Sequence, residues 1–263
     1  MSRDSLWTVE TAADVLLAAE ATRTDRHPIT DDWTALDLET AYQVQDRLIA
    51  RKVALGEKRV GVKLGLTSRA KQQRMGIRSP LTAWLTDGMV LEAGAPVPTD
   101  ELIHPRVEPE IVFVLGERLE GPGVTAASAM AAVRSVYAGV EVIDSRYTDF
   151  RFTLPDVVAD NASSARFVLG GIERHPADLD LALETCVLSV DGAVIDTATG
   201  AAVQGHPAAA LALAANSLAE RGLALEAGWI VLTGGMTDAV CVEPGQQIVA
   251  EFTNLGAITI TGA

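Results

Sequence analysis

Apolar and polar residues follow two periodicities along the chain, and together they predict a mostly β protein with helices near its N-terminus. Alternating or continuous apolar runs, rich in β-branched residues, indicate strands. These runs are Arg59 to Leu66, Thr82 to Val97 (with turns), Val107 to Leu115, Gly139 to Ser145, Arg166 to Gly170, Leu183 to Val190, Val194 to Thr197, Trp229 to Thr233, Gln247 to Phe252 and Ala257 to Thr261. The dipeptide Asp191-Gly192 between two of them predicts a hairpin.

Recurrence at every third and fourth position predicts the helices. The predicted helices are Thr8 to Ala21, Asp37 to Leu55, Thr67 to Gln73, Thr125 to Tyr137 and Pro207 to Arg221. The polar segment from Asp156 to Ser164 is expected to be a loop. Because the first two helices precede every predicted strand, we expect a small helical N-terminal lobe followed by a mixed, mostly β core, an α+β fold. The predicted division is residues 1–76, with the first core strand, and residues 77–263.

Two carboxylates stand at the start of the most apolar strand, Val107 to Leu115. Side chains two residues apart on a strand project to the same face, so Glu108 and Glu110 are expected side by side. Like charges at that spacing repel unless a positive group lies between them, and a hard divalent cation prefers such oxygen ligands. The alternative is an edge strand with two solvated glutamates, whose irregular edge is marked by Pro109.

Two further charged residues interrupt predicted strands. Lys63 lies between Gly61 and Gly65, which would leave room beside its ammonium group. It is either a cation that reaches into a site or an ordinary exposed lysine. Glu141 lies among valines and an isoleucine, where a carboxylate is costly unless it is paired or metal-bound, so we favour a functional role for it.

The charge balance excludes some classes of partner. The 263 residues carry a formal net charge of −14, which argues against nucleic-acid binding. A site for a small anion must therefore be locally positive. Cys186 and Cys241 are expected to be buried and reduced, and no stretch suits a signal peptide or a membrane span. We therefore expect a soluble cytoplasmic protein that does not bind membranes.

Three segments together resemble the hydratase/decarboxylase branch of the fumarylacetoacetase superfamily, whose members act in the meta-cleavage degradation of aromatic compounds. They are Gly61 to Ser68, Val107 to Leu115 and Glu141 to Gly170, and the likeness extends to the Gly-Gly-Met-Thr-Asp-Ala-Val run that starts at Gly234. The resemblance implies a fumarylacetoacetase C-terminal type of core. It also implies a Mg²⁺ or Mn²⁺ ion held by Glu108, Glu110 and Glu141, and a catalytic role for Lys63.

The same resemblance separates two reactions of this branch. Hydratases carry an aspartate where this chain has Leu81, and the segment from Asp144 to Phe152 and the run Ser163 to Phe167 are similar to the decarboxylases. The implied activity is decarboxylation of the dicarboxylate 2-oxo-3-hexenedioate. The substrate would meet Leu81, Ser163, Arg146 and Arg166, although either arginine could equally form a structural ion pair, for example Arg146 with Asp144.

Two alternatives stay open. The first is hydration of 2-hydroxypenta-2,4-dienoate by the same fold. The second is a catalytically idle partner subunit that retains the metal. For the assembly, the resemblance implies a homo-oligomer and a complex with the hydratase of the pathway.

Overall fold

The computed structural model describes residues 6–68, 72–73, 76 and 80–263. The helices of this part are α1 (Val9–Thr22), α2 (Leu38–Ala54), α3 (Ala126–Ala131), α4 (Leu154–Ala159) and α5 (Pro207–Glu220). The strands are β1 (Arg59–Gly65), β2 (Leu81–Thr86), β3 (Arg106–Leu115), β4 (Val133–Ile143), β5 (Ser164–Leu169), β6 (Thr185–Val190), β7 (Ala193–Thr199), β8 (Ile230–Leu232), β9 (Val240–Cys241), β10 (Gln247–Phe252) and β11 (Gly256–Thr261). The helix predicted from Thr67 to Gln73 lies mostly outside the described residues.

The strands form two sheets. The larger sheet has the order β2-β1-β8-β3-β4-β5, with β9 also paired to β3, and the smaller has the order β11-β10-β6-β7. All pairs are antiparallel except β1 with β8. Contacts between β11 and β4 join the two sheets. The predicted α+β fold with a mostly β core is confirmed.

Two capped helices form the N-terminal part of the fold. The Thr8 hydroxyl accepts the Thr11 N–H in a reciprocal capping box, and the Asp37 carboxylate accepts the Thr40 N–H at the start of α2. Helix α1 packs on α2, and α2 packs on α4. The predicted boundary between residues 76 and 77 falls beside residues outside the described part and stays a prediction.

The segment after Thr125 differs from the prediction. The helix expected to reach Tyr137 ends at Ala131, and β4 begins at Val133, six residues before the predicted Gly139. Pairing with β3 decides this, because β4 pairs with β3 from Val133 to Ile143, with one register shift next to Val133. The β-branched and aromatic residues at 133, 136 and 137 suit that strand, so tertiary pairing overrides the helical spacing.

Two smaller expectations are also corrected. Residues 156–164, predicted as a loop, contain most of α4 and a short 3₁₀ turn at Asn161–Ser163. Cys186 is buried as expected, whereas Cys241 on β9 is exposed. No helix among the described residues is long and apolar enough to cross a bilayer.

Side-chain amides close the outer edge of β2, which would otherwise expose unpaired backbone groups. The Asn161 side chain accepts the Trp84 N–H and donates to the Trp84 carbonyl, both at 2.9 Å. Gln45 of α2 donates to the carbonyls of Thr82 and Val158 at 3.2 and 3.0 Å. Asn161, Ala162 and Ser163 all have left-handed backbone conformations, with φ between 48° and 59°. The Asn161 clamp therefore holds a strained turn against the sheet.

Replacing Asn161 by glycine tests this clamp. Glycine keeps the left-handed conformation but removes both hydrogen bonds. The buried N–H and carbonyl of Trp84 then lack these partners, which lowers the free energy of unfolding by roughly 2 kcal/mol. We expect Asn161→Gly to lower the melting temperature by roughly 4–8 °C, the scale for a protein of this size. Asn161→Ala should cost a few degrees more, because alanine also strains the backbone. Melting temperatures equal to that of the parent protein would contradict the clamp.

Candidate metal and active site

The candidate site forms where the short strand β8 ends inside the larger sheet. Its last residue, Leu232, pairs with Lys63 of β1 on one side and with Val112 of β3 on the other. Beyond Leu232 the strand ends, and the next strand beside β3 is β9, which pairs with Arg106 and Val107. The stretch of β3 from residue 108 to 111 therefore faces the turn after β8, and not another strand among the described residues, on this side.

Three carboxylates meet at this stretch of β3. Glu108 and Glu141 are directly opposite in the β3–β4 register, and Glu110 lies two residues along the same face. One oxygen from each lies within 4.8 Å of the others. Glu110 and Glu141 are fully buried. Because β3 pairs with β4 on one side and with β8 and β9 on the other, the alternative of an edge strand with solvated glutamates is wrong.

Burial and mutual repulsion dominate the electrostatics of the cluster. Burial raises the pKa of Glu110 well above its usual value, and the neighbouring Glu141 and Glu108 raise this pKa further. One Glu110 oxygen, Oε2, accepts the Gly234 N–H at 2.6 Å. The other, Oε1, is buried and has no hydrogen-bond partner among the described residues. An orphaned carboxylate oxygen within a cluster of three is the donor set that a hard divalent cation prefers.

Glu141 and Lys63 form a buried ion pair at the side of the cluster. Lys63 Nζ donates to Glu141 Oε2 at 3.1 Å, and Lys63 is only 4% exposed. The alternative of an ordinary exposed lysine is therefore wrong. The flanking glycines have different roles: a Cβ on Gly61 would lie 1.9 Å from the Ile230 carbonyl oxygen, so strand pairing excludes a side chain there. Gly65 lines the cavity described below.

The turn after β8 is shaped by two glycines. Gly234 has φ of +110°, and a Cβ there would lie 2.2 Å from Thr67 Oγ1. A Cβ on Gly235 would lie 2.8 Å from Glu108 Cδ. The pair lets a backbone N–H and a second carboxylate approach the cluster together. In the sequence these glycines stood out only through the family resemblance, because this role depends on the register of β8 with β3.

A cavity of about 160 Å³ opens beside the cluster. Lys63, Glu108, Thr67, Ser163 and Gly235 give it a polar side. The remaining wall is mainly apolar and includes Leu81, Ile143, Phe150, Phe152, Val157 and Ala162. A bound molecule therefore meets Lys63 and Glu108 of the carboxylate cluster within a mainly apolar lining.

The structure gathers most of the predicted site residues but leaves the two arginines outside the cavity. Arg146 is buried and paired with the Asp160 carboxylate, and not with Asp144. Arg166 lies 3.4 Å from Glu101. Both arginines line a separate depression on the protein. Their surroundings support the structural ion-pair alternative over direct contact with a substrate.

Two residues near the cluster escaped the sequence analysis. Ser164 Oγ donates to Glu141 Oε1 at 3.1 Å. Asp160 is fully buried and directly precedes the turn that carries Ser163. A carboxylate directly after the apolar run Val157-Val158-Ala159 is the same signal that identified Glu141, and it could have identified Asp160. Nothing in the sequence distinguishes Ser164 from its neighbours.

Known proteins share this architecture and much of this sequence. The chain is 45% identical over 231 residues to a 4-oxalocrotonate decarboxylase of Pseudomonas sp. strain CF600, covering 88% of each chain. It is 36% identical over 254 residues to a 2-hydroxyhexa-2,4-dienoate hydratase of Comamonas testosteroni, covering 96% of each. A crystal structure of 4-oxalocrotonate decarboxylase from Pseudomonas putida G7, complexed with magnesium and adipate, matches with a TM-score of 0.95 at 40% identity over 97% of each chain.

The match to a family profile covers the whole of both sheets. Residues 59–261 fit the profile described as fumarylacetoacetate (FAA) hydrolase C-terminal. This range begins at β1 and ends at β11, so it includes every strand that carries a carboxylate or the lysine of the site. The chain therefore belongs to the fumarylacetoacetate hydrolase C-terminal family.

Proposed function

We propose that this protein is a carboxy-lyase that converts 2-oxo-3-hexenedioate to 2-hydroxypenta-2,4-dienoate and carbon dioxide, in the meta-cleavage degradation of aromatic compounds. One observation carries the proposal: a cluster of three carboxylates, two of them buried, lies beside a cavity that is lined by Glu108, by Lys63 and otherwise mainly by apolar residues. The decarboxylases among the relatives support it. Adipate, present in one of their structures, is a six-carbon dicarboxylate like the proposed substrate.

The residues fit a divalent cation, Mg²⁺ or Mn²⁺. Glu108, Glu110 and Glu141 would hold it, since no described residue donates to the buried Glu110 Oε1 and the three carboxylates otherwise repel one another. Such a cation supplies Lewis acidity toward the 2-oxo oxygen of the substrate. Magnesium in the structure of the Pseudomonas putida relative supports the assignment.

The proposed reaction needs no organic cofactor, because the substrate contains its own electron sink. The bond between C5 and the distal carboxylate breaks, and that carboxylate leaves as carbon dioxide. Its electron pair forms the C4–C5 double bond, and the former C3–C4 pair moves to C2–C3. The carbonyl pair moves onto the 2-oxo oxygen, and one proton then converts the dienolate to the dienol.

Lys63 is the residue of this chain suited to that developing charge. Its ammonium lines the cavity and is fixed by the ion pair with Glu141. A preorganised cation at this place stabilises negative charge on the substrate oxygen and can deliver the final proton. Burial strengthens this effect, since little water competes for the charge.

The apolar wall suits the other half of the reaction. Leu81 is 3% exposed and lines the cavity, together with Phe150 and Phe152. A carboxylate held against hydrocarbon is poorly solvated, and its charge disperses as carbon dioxide departs. Leucine cannot relay a proton or orient water, which hydration of a dienol would require. This difference favours decarboxylation over the hydratase activity of the Comamonas relative.

We also propose that the protein assembles into a homo-oligomer and associates with the hydratase that consumes its product. Val194 and Ile195 of the β6–β7 hairpin are exposed at the open edge of the smaller sheet, and so is Leu183 just before it. Exposed apolar side chains beside an unpaired strand edge support an assembly surface there.

The deciding assay combines purified protein, Mg²⁺ and 2-oxo-3-hexenedioate. We expect stoichiometric carbon dioxide and an absorbance change from the dienol. The same protein should leave 2-hydroxypenta-2,4-dienoate unchanged over that time. Efficient hydration of the dienol without carbon dioxide release would replace this proposal with the hydratase. Inactivity in both assays, with the metal bound, would instead favour an idle partner subunit.

Glu110→Gln should weaken metal binding and make the metal-free protein more stable. The amide removes one of three crowded charges, while its oxygen can still accept the Gly234 N–H. We expect the melting temperature in EDTA to rise by roughly 2–6 °C, the scale of a 1–2 kcal/mol change in a protein of this size. The rise in melting temperature that Mg²⁺ gives the parent protein should be lost. A variant still stabilised by Mg²⁺ as strongly as the parent would argue against Glu110 as a ligand.

Lys63→Met should remove the charge at the cavity while roughly preserving the aliphatic stem. We expect turnover to fall by roughly 100- to 1,000-fold, the scale of losing one preorganised charge or proton donor. Circular dichroism should show an intact fold, and calorimetry should still detect Mg²⁺ binding. Turnover close to that of the parent protein would exclude a catalytic role for Lys63.

Leu81→Asp should lower decarboxylation, because a second anion would face the departing carboxylate. We expect the rate of carbon dioxide release to fall by roughly 10-fold or more at saturating Mg²⁺. Leu81→Asn is the matched control, since it is polar but uncharged and should lose less activity. Equal losses in the two variants would show that shape, and not charge, matters at this position.

A further inference from the structure

The two carboxylate oxygens of Glu141 are held by different partners. Lys63 Nζ donates to Oε2, and the Ser164 hydroxyl donates to Oε1, each at 3.1 Å. Ser164 is 4% exposed and is the first residue of β5, beside β4. With both oxygens engaged, the plane of the Glu141 carboxylate is fixed from opposite sides. Glu110, in contrast, has one oxygen without a hydrogen-bond partner in the part of the chain that the structure describes.

Ser164 itself is held by the buried Arg146–Asp160 pair. Arg146 Nη1 donates to the backbone carbonyls of Ser164, at 3.3 Å, and of Asp144, at 2.7 Å. Its Nε and Nη2 donate to the carboxylate and the backbone carbonyl of Asp160. The Ser163 carbonyl accepts the Asp144 N–H at 2.8 Å. One guanidinium therefore ties the end of the left-handed turn to the start of β5.

We propose that Ser164 is a positioning residue that orients Glu141 for the metal ion, and that Arg146 and Asp160 set the position of Ser164. This inference rests on the proposed metal site. It gives Arg146 a role in metal affinity, acting through Ser164, in place of contact with the substrate.

The physical reason lies in the flexibility of a glutamate. A glutamate side chain has three rotatable bonds, and only part of its carboxylate rotation is removed by one hydrogen bond. A second donor from the neighbouring strand leaves a single orientation, which reduces the ordering cost when the cation binds. Removal of such a hydrogen-bond partner of a metal ligand commonly lowers metal affinity or activity by roughly 10- to 100-fold.

The Arg146–Asp160 pair suits this function better than a role in overall stability. Arg146 is 2% exposed and Asp160 is fully buried. A buried ion pair is weak evidence for stability, because the desolvation of both charges offsets their attraction. Its directional bonds do fix the backbone between residues 160 and 164, where three consecutive residues are left-handed.

The test measures Mg²⁺ affinity by calorimetry and, separately, the KM for 2-oxo-3-hexenedioate at saturating Mg²⁺. For Ser164→Ala we expect the Kd for Mg²⁺ to rise by roughly 10-fold or more, while the KM for the substrate changes less than twofold. Ser164→Thr keeps the hydroxyl and should recover most of the affinity. Ser135→Ala is the matched control, since Ser135 is an equally buried serine near the other end of β4, and its Mg²⁺ affinity should equal that of the parent.

Arg146→Lys extends the test to the supporting pair. Lysine keeps a charge beside Asp160 but loses the planar fork that reaches several carbonyls. We expect a several-fold weaker Mg²⁺ affinity in this variant, again with little change in the KM for the substrate. A KM that rises strongly at saturating Mg²⁺, with an unchanged Mg²⁺ affinity, would instead show that Arg146 orients the substrate, and this would overturn its positioning role.

The parent protein and Glu141→Gln separate this inference from the proposed function. If the parent binds Mg²⁺ and Glu141→Gln does not, the metal site stands, and an unaltered affinity in Ser164→Ala then overturns the inference alone. If Glu141→Gln binds Mg²⁺ like the parent, the metal site itself is wrong, and the positioning role of Ser164 is overturned with it.

Discussion

Three carboxylates confined between two neighbouring strands of a buried sheet are the constraint on which the rest of this structure depends. Glu108, Glu110 and Glu141 share one face of the β3–β4 pair, where like charges directly opposite one another are unfavourable. Their surroundings compensate for this with an ammonium group from β1, a backbone N–H after β8 and a hydroxyl from β5. The donors come from three elements distant in sequence, so they surround the cluster only when the whole sheet has formed. Within the described residues one buried carboxylate oxygen still lacks a hydrogen-bond partner, and a cation could bind to it.

Because β8 ends at Leu232, a turn lies beside the carboxylates of β3. The Gly234 N–H of this turn donates to Glu110, and the lack of a side chain at Gly234 leaves room for Thr67. The cavity is lined by Lys63 and by Glu108 of the cluster among mainly apolar residues. This lining suits a reaction in which a substrate loses one carboxylate charge while negative charge develops on its 2-oxo oxygen.

Support for the site comes from residues that never reach the cavity. The left-handed turn at residues 161–163 is clamped to β2 by Asn161 and to β5 by the Arg146–Asp160 pair. Left-handed conformations in residues other than glycine persist only where the surroundings impose them. Here these surroundings fix both Ser163 at the cavity and Ser164 behind Glu141. The strain therefore lies beside the candidate site, as is common in proteins whose geometry serves chemistry.

The sequence alone determined the secondary structure of most of the chain and the identity of the carboxylates. Periodicity and capping residues located α1, α2, α5 and nearly all strands, since these patterns are local. The wrong predictions have non-local causes: β4 extends back to Val133 because β3 offers it a partner. The cost of a carboxylate within an apolar strand identified Glu141, but its partners Lys63 and Ser164 lie 78 and 23 residues away along the chain. Only the tertiary structure decided that Lys63 is buried and that Arg146 forms its ion pair with Asp160. Strand register and side-chain packing, and not local sequence, determine which charged groups come into contact.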